Sequence, residues 1–284
     1  MSNMSKVAVV TDSTAYIPVD LVKKYNITVV PQVLIFGEET FKDGVDMRPS
    51  EFYKRLVESE VKPTTSQAAV TDFKEIFERL SNEGKEILAI LVSDGLSKTL
   101  NSATLACQMI PDAKIEVFNS ESVAMALGFQ VLAAAKAAAE GASLEECKAV
   151  AEAAKEKTGV VFVVDTLEYL HRGGRIGGAS RYLGTALKIK PILELRDGRI
   201  EALEKVRTKS KAHDRLVEII AERVNGRGEV HLAALHANAL EDARNLLNQT
   251  GKKLNAVELV FSEVSPVVGT HCGPGTVGIA YMVG

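Results

Sequence analysis

The chain reads as an α/β protein of two domains: an N-terminal, mostly parallel sheet flanked by helices, then a C-terminal α/β domain with a mixed sheet. Three observations point there. Short apolar runs of strand length alternate with helix-period segments from the start to about residue 157, the pattern of a parallel sheet with crossover helices. Beyond residue 158 the pattern changes, and Asp197-Gly198 between two strand-like runs marks an antiparallel hairpin. At 284 residues the chain lies where one core gives way to two. The expected domains are therefore 1–158 and 159–284.

Taken in order, residues 6–11 form a short buried strand that ends in Asp12-Ser13-Thr14. Pro18 opens a helix over 18–25, and 27–36 is a second strand. Residues 37–48 are polar and hold Gly37 and Gly44, which suits a loop or hairpin. Phe52, Tyr53, Leu56 and Val57 share one side of a helix over 49–58. A hydroxyl-rich loop, 61–68, leads into an amphipathic helix over 70–82. The unbroken apolar run 87–92 suits a strand buried on both faces. Ser93-Asp94-Gly95 then turns the chain into a helix over 96–110, and such a strand-to-helix corner presents free backbone N–H groups to an anion. A strand at 114–118 precedes helices over 121–140 and 143–157, the first so rich in alanine that it must pack closely against something.

In the second half, 159–164 is a buried strand and 165–171 a short helical segment, ended by the glycine-rich 172–178. Hairpin strands fall at 191–195 and 199–207, helices at 210–224 and 240–248, and strands at 229–235 and 256–261. A glycine-rich stretch, 269–275, leads to the last strand, 277–283.

Composition narrows the function classes. Charged residues at 25% and apolar ones at 46% are ordinary globular values, and a formal charge of −3 argues against general nucleic-acid binding. Cys107, Cys147 and Cys272 are scattered, which is neither a disulfide framework nor a zinc spacing, and suits a reducing cytosol. The N-terminus lacks an apolar secretion core, and no apolar run reaches the ~18 residues of a membrane span. A cytoplasmic protein with no transmembrane segment is expected.

Polar corners carry the candidate sites. Asp12-Ser13-Thr14 follows the first strand, where open α/β sheets bind ligands, although these residue types also cap helices and make turns. Thr64-Thr65-Ser66-Gln67 can hold a carboxylate or phosphate through hydroxyls and loop N–H groups, or serve as a capping loop. Ser93 and Ser97 suggest a nucleophile elbow, but Gly95-Leu96-Ser97-Lys98-Thr99 has no second glycine. Arg172-Gly173-Gly174-Arg175 joins two anion-binding forks to a flexible backbone, without the spacing or lysine of a phosphate loop. His271 lies where little side-chain bulk would keep it from a ligand, and no second cluster with Cys272 completes a metal set. His213, His231 and His236 read as surface or strand residues.

Together these segments resemble the DegV family of bacterial fatty-acid-binding proteins, over essentially the whole chain and in order. The resemblance runs through Val10-Thr11-Asp12-Ser13-Thr14, Pro63-Thr64-Thr65-Ser66-Gln67, and Ser93, Gly95-Leu96-Ser97 and Thr99. It continues through Gly173-Gly174-Arg175-Ile176, Leu187-Lys188-Ile189-Lys190-Pro191, Asp197-Gly198, Val206-Arg207-Thr208, and His271 with Gly273 and Gly275. It implies a two-domain α/β carrier, not an enzyme, that buries one long-chain fatty acid and needs no cofactor. The carboxyl would be held by Thr65, Ser97 and His271, with Ser66 and Ser93 beside them. A separate kinase would then convert the presented carboxyl to an acyl phosphate, facing Arg175 and Arg207.

The chain departs from the family pattern at Ala68, where proline is usual, at Asp94, which replaces a serine, and at Lys98, which replaces a glycine. Asp94 puts a negative charge near the expected carboxyl site, so it must point away or the site is altered. The alternative function is an enzyme at Ser97, His271 and Arg175, either a serine hydrolase or a phosphotransferase. A third is a polyol-binding module on the same fold.

Overall fold

The structure, a computed structural model, describes residues 5–184 and 189–284. Leu187 and Lys188 of the Leu-Lys-Ile-Lys-Pro motif lie outside the described residues. The N-terminal half runs β1 (Val7–Asp12), α1 (Val19–Lys24), β2 (Thr28–Val30), β3 (Val33–Phe36), β4 (Glu39–Lys42), α2 (Pro49–Glu58) and β5 (Thr64–Ser66). It continues with α3 (Val70–Asn82), β6 (Glu86–Leu91), α4 (Thr99–Gln108), β7 (Ile115–Asn119), α5 (Ala124–Ala139) and α6 (Leu144–Lys155). The C-terminal half holds β8 (Thr158–Val163), α7 (Glu168–Arg172), β9 (Lys190–Arg196), β10 (Arg199–Val206) and α8 (Lys209–Val224). It ends with β11 (Val230–His236), α9 (Leu240–Leu254), β12 (Glu258–Glu263), α10 (Pro266–Cys272) and β13 (Val277–Val283).

This is a two-domain α/β fold. Strands β2-β1-β6-β7 form a parallel sheet in that order. Every residue of β1 is buried, as strands covered by helices on both faces require. The second sheet has the order β10-β9-β8-β13-β11-β12 and is mixed: β11 and β12 are parallel, and the other neighbours antiparallel. The hairpin at Asp197-Gly198 forms as expected, with both residues at positive φ (51° and 73°), which a tight two-residue turn demands. Among the described residues no helix is long and apolar enough to cross a membrane.

Alternation along the strands assigns the two faces of each sheet. Val10, Ala89 and Leu91 pack on α3 and α4, whereas Val9, Leu88 and Ile90 face α5 and α6. In the mixed sheet Val161, Leu232 and Ile279 pack under α8 and α9, and Val160, Ala233 and Ala280 face α5. Helix α5 therefore lies between the sheets. From Ala124 to Leu132 every one of its residues is buried, which explains its lack of a polar face.

The structure corrects four expectations. The single strand expected over 27–36 is two: Pro31, with no N–H for a ladder, ends β2 in the parallel sheet, and the chain leaves to start β3 elsewhere. Residues 61–68 are not all loop, because β5 pairs with β3 in a small antiparallel sheet, β4-β3-β5, with Thr65 opposite Leu34. The glycine-rich 269–275 begins as α10, opened by Pro266 at its first position. Gly269 sits inside that helix because a Cβ there would stand 2.5 Å from the Tyr53 hydroxyl oxygen. Helix α9 runs six residues past the expected 248, through Gly251, against which Leu259 packs, to a left-handed stop at Asn255.

The tightness of the α5 seam is testable. Alanine favours a helix over glycine by ~1 kcal/mol, yet a Cβ at Gly128 would lie 2.6 Å from the Ala15 carbonyl oxygen. Gly128→Ala is expected to destabilise by about 1–3 kcal/mol. Urea unfolding would then show a lower midpoint at unchanged slope.

Candidate ligand site

Between the two sheets the core is not filled. A cavity with about 980 Å³ of atom-free space, its mouth included, opens there. Its walls are mainly apolar: Val92 and Leu96 from the end of β6, Val160, Phe162, Leu195 and Leu235 from the mixed sheet, and Val264, Val267 and Val268 around the start of α10.

One region of the wall is polar, and it is assembled from segments far apart in the chain. Thr65, Ser66 and Gln67 come from β5 and its exit, Ser97 from the turn before α4, Arg175 from the glycine-rich loop after α7, and His271 from the last turn of α10. Thr65 Oγ1 and His271 Nε2 are 2.7 Å apart and hydrogen-bonded across 206 residues of sequence. Ser97 Oγ is 2.8 Å from Thr99 Oγ1, which is in turn held by the Gln32 amide. Arg175 reaches from the C-terminal half to clamp this turn, its Nε donating to the Leu96 carbonyl at 2.9 Å and its Nη1 to that of Gly173 at 2.6 Å. Gly173 is glycine for a local reason: a Cβ would stand 2.1 Å from His271 Nδ1.

Five residues expected from sequence, Thr65, Ser66, Ser97, Arg175 and His271, thus line one cavity. Ser93 and Arg207 do not. The Ser93 hydroxyl is fully buried and donates to the Gly198 carbonyl at 2.7 Å, pinning the β9–β10 hairpin against the β6 corner. Arg207 is exposed just beyond β10. Asp12 is a buried turn acid that accepts from the Thr14 backbone, the Thr14 hydroxyl and the Val92 backbone, so it ties β1 to the end of β6. Asp94 and Lys98 are both exposed and outside the cavity wall, which removes the conflict raised by Asp94. His236 is a strand residue, buried at the end of β11. Sequence reasoning missed Gln32, Tyr16 and Thr276 in the wall. The one available signal was Gln32, an amide between Pro31 and an apolar strand, now 2% exposed.

The electrostatics of the polar end centre on His271. Burial first, then the nearby guanidinium groups of Arg175 and Arg172, push its imidazole down to about 4, so the ring is neutral at pH 7. Its Nδ1 is buried and makes no hydrogen bond. An unpaired lone pair there is less costly than an unpaired N–H. The tautomer protonated at Nε2 is therefore favoured, donating to Thr65 Oγ1 and leaving the Thr65 proton to point into the cavity. The result is a hydroxyl donor backed by a second donor, beside a permanent cation, an arrangement chemically able to accept an anionic oxygen.

The family model described as "Uncharacterised protein, DegV family" matches residues 6–283. The chain belongs to the DegV family. A DegV domain-containing protein of Halalkalibacterium halodurans is 38% identical over 281 residues, 99% of each chain. Among solved structures, a fatty-acid-binding DegV family protein from Thermus thermophilus superposes with a TM-score of 0.93 at 32% identity, over 98% of this chain and 99% of that one. DegV of Bacillus subtilis, described as a fatty acid binding protein, gives 0.90 at 34% identity, over 98% and 99%. The two-sheet DegV architecture is therefore that of this chain too.

A depressed imidazole is a stability statement. Above pH 6.5 His271 is neutral folded or unfolded, but from 6.5 down to about 4 only the unfolded chain takes up its proton. Stability is lost over that window, by roughly 3 kcal/mol in all. Asp43 works the other way, since burial raises it from 3.8 to about 6 and the folded state binds its proton first. Comparing wild type with His271→Gln cancels the Asp43 contribution. The variant is expected to gain about 3 kcal/mol relative to wild type between pH 7 and pH 4, read by urea unfolding of protein stripped of bound molecules.

Proposed function

We propose that this protein binds one long-chain fatty acid in the inter-sheet cavity, its tail among the aliphatic walls and its carboxyl at Thr65, Ser97 and His271. The observation that carries the reading is the union of a largely apolar cavity with a single polar end built around the Thr65–His271 pair. A C16 tail has about 14 methylenes, and burying each is worth ~0.8 kcal/mol, on the order of 11 kcal/mol gross. Such a ligand needs a dry aliphatic space and only a few polar atoms. Ser66 lies beside the proposed head-group contacts and adds a further hydroxyl. That two relatives above 30% identity are described as fatty-acid-binding supports the assignment.

The geometry favours carriage over catalysis. A serine hydrolase would pair Ser97 with His271 and orient the imidazole with an acid. Here the Ser97 hydroxyl is bonded to Thr99, His271 Nε2 to Thr65, and Nδ1 to nothing. For a metal-assisted phosphotransfer, no group of His, Cys, Asp and Glu among the described residues is placed to hold a metal ion. The proposal extends to hand-over: the exposed Gln67 marks the mouth beside the carboxyl end, and a partner kinase docking there would phosphorylate that carboxyl. Arg175 in the wall and the exposed Arg207 are the cations offered to such a partner.

Protein purified from a bacterial host is expected to show, in native mass spectrometry, an adduct of one C16–C18 fatty acid that organic extraction recovers. Bare protein and an empty extract would sink the reading. Thr65→Ala should weaken fatty-acid binding by about 1–3 kcal/mol, roughly 5- to 150-fold, through loss of a charge-assisted hydrogen bond. Equal affinity for wild type and variant would place the carboxyl elsewhere.

A further inference from the structure

The polar network under the cavity contains one acid that the binding site does not use. Asp43 follows β4 in the stretch 37–48 and is 2% exposed. It forms no ion pair among the described residues; the charged or titratable groups facing it are Asp12, Tyr16 and Tyr53. Its two carboxylate oxygens instead accept from two separate segments. Oδ2 takes the Ser13 hydroxyl at 2.7 Å and Oδ1 the Val267 backbone N–H at 3.2 Å, and the Ser265 hydroxyl just before α10 is a further donor to the carboxylate.

Each bond leads to one side of the head-group site. Val267 is the second residue of α10, the helix that ends with His271 and Cys272. Pro266 before it has no N–H, so the bond from Asp43 fixes the first donor the helix can offer. Ser13, on the other arm, accepts the Gln32 backbone N–H at 3.1 Å. The Gln32 amide accepts from the Ala68 N–H just past β5 at 3.1 Å and bonds Thr99 Oγ1, which meets Ser97 Oγ. Burial raises Asp43 to about 6, which is the penalty of keeping an unpaired carboxyl in this position.

We infer that Asp43 is the positioning residue of the head-group site: by accepting from Val267 and Ser13 together it holds His271 and Ser97, which come from opposite ends of the chain, in one arrangement. It touches no ligand itself. Asparagine can reproduce the arrangement, since its oxygen can accept from Val267 and its amide can donate to Ser13, whose oxygen has a second lone pair. Alanine cannot.

The inference rests on the fatty-acid reading for its binding arm only, and its other arm needs no ligand. In delipidated Asp43→Ala, NMR titration should find His271 moved up from about 4 toward 6.5 as its helix loses its anchor and the ring becomes hydrated. Palmitate affinity should fall at least ten-fold, while 1-hexadecanol, which has the tail without the carboxylate, changes less than three-fold. Asp43→Asn should stay within three-fold of wild type on palmitate and keep the low His271 titration. If Asp43→Ala leaves the His271 titration in place, or Asp43→Asn is as impaired as the alanine variant, the positioning role is overturned. A shifted titration in a protein that binds no palmitate would keep this inference and overturn the ligand. Should Asp43→Ala not fold, Ser13→Ala separates the arms: palmitate affinity falls with His271 unmoved. Unchanged affinity there overturns the Ser97 arm.

Discussion

Helix α5 has no polar face, and a helix of that kind has to be covered on every side. The parallel sheet covers it from one direction and the mixed sheet from the other, so the two sheets share one continuous core across the junction between halves. Small side chains let the sheets approach closely, and Gly128 lets the Ala15 carbonyl come within contact of the helix backbone. The cavity lies beside this seam, where Val123 and Ala124 at the start of α5 end the filling and the wall passes to the strand ends. An unfilled apolar space in a protein interior needs such a rigid surround, because close-packed cores otherwise collapse onto voids.

The polar end follows the opposite logic. Its side chains come from the ends of regular elements and the turns beside them, where hydroxyls serve the backbone. Thr65 and Ser66 come from the short β5, His271 from the last turn of α10, and Ser97 and Arg175 from turns. Ser93, Ser97 and Thr99 hold the corner after β6, and Asp12 and Thr14 the corner after β1. Of these, Thr14 and Ser97 also line the cavity. The hydroxyls differ in where they face. Ser93 spends its hydroxyl on Gly198 away from the cavity, whereas Thr65 and Ser97, bonded to His271 and Thr99, lie in its wall.

Much of the regular structure was legible because its signals are local. The helices at Pro49–Glu58 and Val70–Asn82 and the strand Val277–Val283 fall where period and punctuation put them. The errors came where tertiary contacts override local rules. Thr64-Thr65-Ser66 has no strand pattern and becomes one only because β3 offers an edge. Gly269 looks like a helix breaker and is kept in α10 by the Tyr53 hydroxyl beside it. The stretch 37–48 reads as loop, with no hint that Asp43 ends up buried between two donors.

By itself the sequence determined the α/β class, the strand–helix order, the hairpin at Asp197-Gly198 and the polar corners from which a site could be drawn, since each is written in periodicity or turn chemistry. The family resemblance named Thr65, Ser97 and His271 together. Only the tertiary structure decided that Thr65 and His271 are bonded, that Ser93 is a pin, that Asp94 faces outward, and that an aliphatic cavity adjoins them. The reason is physical: a wall of Val and Leu has the same composition as a filled core, and a hydroxyl's partner is a matter of direction rather than of sequence.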